Sequence, residues 1–197
     1  AKLNDHAVVL GAGIAGLVAA TVLAEHYASV TVVERDRLPE NPVDRRGVPQ
    51  GRHLHSLLSR GSQIMEELHP GFLAELVEAG ALVLDDPDMR RIYSRIGPYT
   101  FNRTDPAADP EALITYLTSR PFLEFHLRRR VQALSNVAFL DGHDVGELVS
   151  AQPQRITGVT VSSRDSTSSS DTLCADLIID ATAVSYTHLR AHETSLH

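Results

Sequence analysis

Three glycines, Gly11, Gly13 and Gly16, stand in the spacing Gly-x-Gly-x-x-Gly near the start of the chain, and an acid, Glu34, follows eighteen positions after Gly16. Residues of these types at this spacing can bind a dinucleotide. Gly11 allows a tight turn out of a strand, Gly13 lets a pyrophosphate approach bare backbone, and Gly16 lets the following helix pack closely on a sheet. The amides around Gly13, Ile14 and Ala15 then lie at a helix N-terminus, where N–H groups without an intrahelical acceptor and the helix dipole favour an anion. Glu34, closing a strand, can accept hydrogen bonds from both hydroxyls of an adenosine ribose.

Such residues must be positioned by a strand, a helix and a second strand, and the sequence supplies them in that order. Ala7 to Leu10 is a short apolar, β-branched run, an Ala/Leu/Val-rich segment reaches to about His26, and Val30 to Glu34 is a second β run that ends on the acid. Strand, glycine turn, helix and terminal acid fall in register, which separates this stretch from a chance glycine-rich turn. Ala7 to Ala24 carries no charge and by hydropathy alone could pass for a signal-peptide core or a membrane span. The glycines divide it into strand and helix, and no basic leader or cleavage site accompanies it. The expectation is a cytoplasmic protein without integral membrane association.

At 197 residues, 43% hydrophobic and 22% charged, the chain suits one soluble domain or one and a half. Its 18 basic and 25 acidic side chains give a net charge of −7, which argues against a nucleic-acid surface. The single cysteine, Cys174, cannot form an internal disulfide, so a reducing compartment is expected.

Between Arg35 and His55 lie three prolines, two glycines and five arginines. This is an ordered polar excursion whose guanidinium groups suit phosphate and polarised carbonyl oxygens. Leucines and other apolar residues at three- and four-residue spacing (Leu54, Leu57, Leu58, Ile64, Met65, Leu68) predict a helix from about Leu54 that ends at Pro70-Gly71. A short helix over Phe72 to Glu78 follows, then strands over Ala81 to Leu84 and Arg90 to Ile96, an irregular stretch from Asn102 to Pro110, and a weak apolar segment, Ala112 to Leu117. Ser119 is placed as the N-cap of a helix with Pro121 in its first turn and Phe122, Leu123, Leu127 and Val131 on its buried face. Arg128, Arg129 and Arg130 in its last turn read as a solvated face favoured by the dipole. Val137 to Leu140 predicts a buried strand, Asp141-Gly142 a turn into His143 to Val149, and Arg155 to Val161 with Thr172 to Ala175 a hairpin closed by a serine-rich connector. Asp176 to Asp180 predicts another short buried strand.

With these motifs in hand, the chain resembles the FAD-dependent monooxygenases and reductases that share the glutathione-reductase-type FAD fold, including aromatic hydroxylases, flavin halogenases and geranylgeranyl reductases. The resemblance rests on His6 to Arg35, Arg45-Arg-Gly-Val-Pro-Gln-Gly-Arg-His-Leu-His55, Ser119-Arg-Pro-Phe-Leu-Glu124 with its helix, and Asp176 to Thr182, and covers most of residues 5 to 182. It implies an α/β fold: a Rossmann-like parallel sheet with an inserted β hairpin and part of a second, substrate-binding region. Residues 1–182 would be a partial FAD-binding domain, with about 70–118 as the inserted substrate-side segment. Carried over residue by residue, Gly11, Gly13 and Gly16, with Ile14 and Ala15, would hold the pyrophosphate and Glu34 the ribose. Arg35 follows the ribose acid, Arg46 would approach the flavin side, Arg120 would contact the cofactor backbone, and Val145 would hold adenine through its backbone. The resemblance implies FAD as cofactor, NAD(P)H as electron donor and a small organic substrate that takes up one oxygen atom.

The chain also departs from the family pattern. It has no tryptophan, so the Trp-x-Trp-x-Ile-Pro signature of flavin halogenases is absent, as is their lysine after the glycine turn. Ala183 stands where glycine should continue the motif after Asp180-Ala-Thr182, and no Gly-Asp pair occurs. Ser185 to Thr194 resembles a translated sequencing-adapter read, so the expectation for 183–197 is a non-native disordered tail, with the C-terminal half of the enzyme absent. His188 and His192 have no third ligand in context and give no metal site. No catalytic residue is assigned; His53 and His55 read as structural. A flavin-dependent geranylgeranyl-type reductase shares every motif, an NAD-linked dehydrogenase could use Glu34 equally well, and a non-catalytic fragment is the remaining alternative. No oligomeric state follows.

Overall fold

The structure is a computed structural model, and it describes residues 4–86, 88, 93–100, 102, 104, 109, 111–152, 155–165 and 170–182. In chain order the strands and helices are β1 (Asn4–Leu10), α1 (Ile14–His26), β2 (Tyr27–Glu34), β3 (Leu54–Leu57), α2 (Ser59–Leu68), α3 (Phe72–Glu78), β4 (Leu82–Leu84), β5 (Arg95–Ile96), β6 (Tyr99–Thr100), β7 (Thr115–Ser119), α4 (Arg120–Gln132), β8 (Val137–Asp141), β9 (His143–Gln152), β10 (Arg155–Ser163), β11 (Ser170–Cys174) and β12 (Leu177–Asp180). They fall into two compact units, Ala1–Gly51 with Glu124–His197, and Arg52–Leu123.

The first unit is built on a parallel sheet of order β12-β1-β2-β8. Val8 lies opposite Thr31 of β2 on one side and Ile178 of β12 on the other. The chain leaves β1 toward β2 and returns on the opposite side as β12, so the winding direction reverses at β1. In open α/β sheets this reversal opens a crevice outside the strand carboxyl ends, where ligands bind. Ala7, Val8, Val9 and Leu10 are fully buried, which explains a continuous apolar run instead of an alternating one.

The expected hairpin is present and gains a strand: β9, β10 and β11 form an antiparallel sheet with β10 at its centre. Val159 and Val161 of β10 share a core with Val8, Leu10 and Val33. At the other end of β1, the Asp176 carboxylate accepts the N–H groups of Asp5 and His6. His6 bridges two further elements, through Nδ1 to the Cys174 carbonyl at 2.6 Å and through Nε2 to Thr31 Oγ1 at 2.9 Å. A carbonyl only accepts, so Nδ1 carries a proton. Strands β8 and β12 are half-buried and not fully enclosed, because they flank the sheet among the described residues.

The second unit holds an antiparallel sheet of order β3-β7-β4 and the helices α2 and α3, with Leu57, Met65, Phe72 and Leu76 buried. Here the predicted helix start is corrected. Leu54–Leu57 is a strand, paired with β7 from Leu54↔Ser119 to Leu57↔Tyr116, and the helix begins at Ser59. Leucine spacing fitted a helix, but cross-strand pairing claims these backbone groups first. The weak apolar segment becomes β7, the central strand of this sheet. Of the strand predicted over Arg90 to Ile96, only β5 is seen within the described residues; 90–92 lie outside them, as does the whole of 183–197, including Ala183, His188 and His192. No described helix is long and apolar enough to cross a membrane.

Candidate dinucleotide site

Gly11 leaves β1 with φ +96°, a conformation that L side chains rarely adopt, and its N–H donates to Val33 O at 2.7 Å. A Cβ there would sit 2.9 Å from the carbonyl oxygen of Ala181, just after β12. Gly16 is tighter still, since its Cβ would lie 1.9 Å from Gly11 O. Gly13 is the N-cap of α1 in ordinary extended geometry (φ −75°, ψ 177°), so its contribution is the missing side chain. No side chain caps α1 and no acid lies in its first turn. The amides of Ile14, Ala15 and Gly16 therefore have no intrahelical acceptor, and the positive end of the helix dipole faces the switch point.

Glu34 ends β2 and is buried, 7% exposed. Its Oε2 accepts the Ala12 N–H at 2.7 Å and its Oε1 the Asp36 N–H at 3.0 Å. An ionised carboxylate offers about four acceptor positions, so bonds to hydroxyl groups can be added to those it makes. Its charge is balanced by Arg45, whose Nη1 lies 3.1 Å from Glu34 Oε2 and 3.5 Å from Asp36 Oδ2. Arg45 Nη2 donates to Ala12 O at 3.0 Å, and Nε donates to Glu124 Oε1 at 2.6 Å. Burial opposes the guanidinium charge most strongly, but the bond to Glu124 and the fields of Glu34 and Glu124 together outweigh it and raise the Arg45 pKa.

Arg45 was not singled out by sequence reasoning, which chose its neighbour Arg46; that residue is exposed. Adjacent arginines in a loop carry no periodic signal that tells them apart. The acids that meet Arg45, Glu34, Asp36 and Glu124, are spread along the chain, so no local pattern marks it out. Arg128 is a correction of the same kind. It is buried, not solvated, with Nη1 3.9 Å from Glu124 Oε1 at i,i+4 and Nη2 donating to Pro39 O. Burial holds its pKa below the usual arginine range, and it stays charged. Arg129 is exposed as expected.

The remaining predicted residues fall into two places. Arg35 pairs with Asp144 at 3.1 Å, next to Val145, which is half-buried in β9. Arg37 reaches Asp141 at 3.2 Å and also Asp165, while Leu38 N–H donates to Asp141 Oδ2 at 2.8 Å. These contacts fasten the chain after β2 to the carboxyl end of β8. In the second unit, Ser119 caps α4 by accepting the Phe122 N–H at 3.3 Å, and Arg120 opens the helix half-buried. His55 lies across from Thr118. Burial first and the Arg120 charge second lower the His55 pKa below its ordinary 6.5. His53 is exposed.

Residues 9–40 match the sequence family described as the NAD(P)-binding Rossmann-like domain. Protein Rv3254 of Mycobacterium tuberculosis is 42% identical over 182 residues, covering 90% of this chain and 38% of that protein. The myxobacterial chondrochloren halogenase CndH, described as a variant of FAD-dependent halogenases, superposes with TM-score 0.65 at 23% identity over 90% of this chain and 37% of its own. The chain has the fold of FAD-dependent flavoproteins. PqsL of Pseudomonas aeruginosa, a probable FAD-dependent monooxygenase, carries this flavoprotein fold too, with TM-score 0.56 at 20% identity over 80% of this chain and 38% of its own. The chain thus spans about 38% of the length of the curated relative it matches.

Proposed function

We propose that the chain is the nucleotide-binding part of an FAD-dependent oxidoreductase, in its simplest form a cytoplasmic monooxygenase that draws electrons from NAD(P)H and acts on a small organic substrate. The observation that carries this is the buried Glu34 carboxylate, held by the Ala12 amide at the carboxyl end of β2, beside the uncapped N-terminus of α1. The residues fit an adenosine dinucleotide. The turn from Gly11 to Gly16 has no space for a Cβ at either end, so backbone N–H groups line it, and one anionic acceptor for ribose hydroxyls stands at the neighbouring strand end.

In this reading the amides from Gly13 to Gly16 bind the pyrophosphate, Glu34 accepts from the ribose, and the backbone of Val145 holds adenine. Arg35 and Arg46 supply positive charge toward the rest of the cofactor. FAD, when bound, supplies the redox chemistry, and the protein supplies orientation and exclusion of water. The FAD reading is favoured over NAD by the three-stranded β9-β10-β11 sheet packed on Val8 and Leu10 and by the arginine-rich loop after β2. Neither has a task in a plain NAD fold. The named FAD-dependent relatives of the fold support the same choice.

Titrating FAD, NAD⁺ and NADP⁺ separately into the chain, with FAD fluorescence and calorimetry as readouts, tests the proposal. FAD should bind at one site at least about tenfold more tightly than either pyridine nucleotide, a difference of about 1.4 kcal/mol. Tighter binding of NAD⁺ would sink it.

A further inference from the structure

Behind the glycine turn lies an enclosed charge cluster. Glu34, Asp36 and Glu124 face Arg45, and Arg128 lies beyond Glu124; the side chains of Arg45, Glu34, Glu124 and Arg128 are 7%, 8%, 4% and 4% exposed. Asp141 of β8 also acts on Arg128. Two buried carboxylates and two buried guanidiniums, with the half-buried Asp36 beside them, add little to stability, because desolvation offsets most of their attraction. Their geometry shows what else they do. Arg45 bonds on three sides at once: Nε to Glu124, Nη1 to Glu34, Nη2 to the Ala12 carbonyl. Ala12 in turn donates its N–H to Glu34. The backbone groups of the residue between Gly11 and Gly13 are thus held by Arg45 and Glu34, and a planar guanidinium pinned at Nε has its two Nη directions fixed.

We infer that Glu124 is a positioning residue for the dinucleotide site, acting through Arg45 to hold the Glu34 carboxylate and the Ala12 backbone where they receive a ribose and a pyrophosphate. The inference rests on the reading of this site as one for an adenosine dinucleotide. Glu124 Oε1 accepts from Arg45 Nε and also lies 3.9 Å from Arg128 Nη1; its route to Glu34 and Ala12 runs through the Arg45 guanidinium. Charge counting makes the role testable. The five groups sum to −1; Glu124→Gln makes them neutral but releases Arg45 Nε from its charged partner, whereas Arg45→Met leaves −2, and the double substitution restores −1.

The experiment measures FAD and ADP affinity and melting temperature for the full chain, Glu124→Gln, Arg45→Met and the double variant. Glu124→Gln should weaken both ligands about tenfold in the original background, the size of one charge-assisted hydrogen bond, and should strengthen both in the Arg45→Met background. Equal weakening in the two backgrounds overturns the inference, and so does a fall in melting temperature with affinities unchanged, the mark of a merely structural residue. If Arg45→Met alone does not fold, recovery of a cooperative melt in the double variant supports the coupling and failure to recover overturns it. Absence of FAD and ADP binding by the unsubstituted chain overturns the underlying reading of the site and the inference with it.

Discussion

Arg45 is the residue on which most of the local electrostatics turns, since it faces Glu34, Asp36 and Glu124 from one enclosed position. Removing a partner from a buried ion pair strands the others, so Arg45→Met should lower stability by about 3–5 kcal/mol; urea unfolding measures it. Gly16→Ala tests close packing instead. Its methyl would meet Gly11 O at 1.9 Å, and shifting backbone to relieve that contact should cost about 3 kcal/mol and displace the α1 amides. Thermal melting and FAD titration of the variant check both effects. At this scale the placement of the glycines at the turn and of Glu34 at the end of β2 was legible, because it follows from spacing along the chain. Arg45 was not legible, because its role depends on Glu124, far away in sequence. Arg128 was misread for the same reason: the dipole argument applies equally to all three arginines at the end of α4, and only the fold shows which of them faces Glu124.

The elements were readable where one pattern admitted one structure. The apolar run of β1 and the helix after its glycines allow little else, and both are where the sequence puts them. Leu54–Leu57 shows the limit, since four residues with leucine at each end suit a helix or a strand and a partner strand decides. That strand carries a pH-sensitive group. His55 titrates below 6.5 in the folded chain because burial disfavours the imidazolium, with Arg120 adding repulsion. The unfolded chain therefore takes up the proton first as pH falls. The stability contributed by neutral His55 is complete above its ordinary pKa and is lost as pH drops through the lower folded value. Urea unfolding at about pH 7.5 and about pH 5.5 should show a loss at the lower pH that His55→Gln reduces; an unchanged loss would place the titration elsewhere.

For the whole molecule, the sheet order β12-β1-β2-β8 explains why so few residues suffice to mark the site. The reversal of winding at β1 brings Gly11 against Ala181, and the end of β2 brings Glu34 onto Ala12. Positions remote in sequence thereby meet at one mouth. The chain spans 38% of the relative it resembles at 42% identity, yet the groups assigned here to the pyrophosphate, ribose and adenine all belong to the unit of Ala1–Gly51 and Glu124–His197. Binding of the adenosine half should therefore be a property of this chain itself. The direct measurement is the absorbance spectrum of the purified chain after incubation with FAD and desalting. A flavin band at close to one FAD per chain is the predicted result. A folded, soluble protein that emerges with no flavin absorbance would contradict the account.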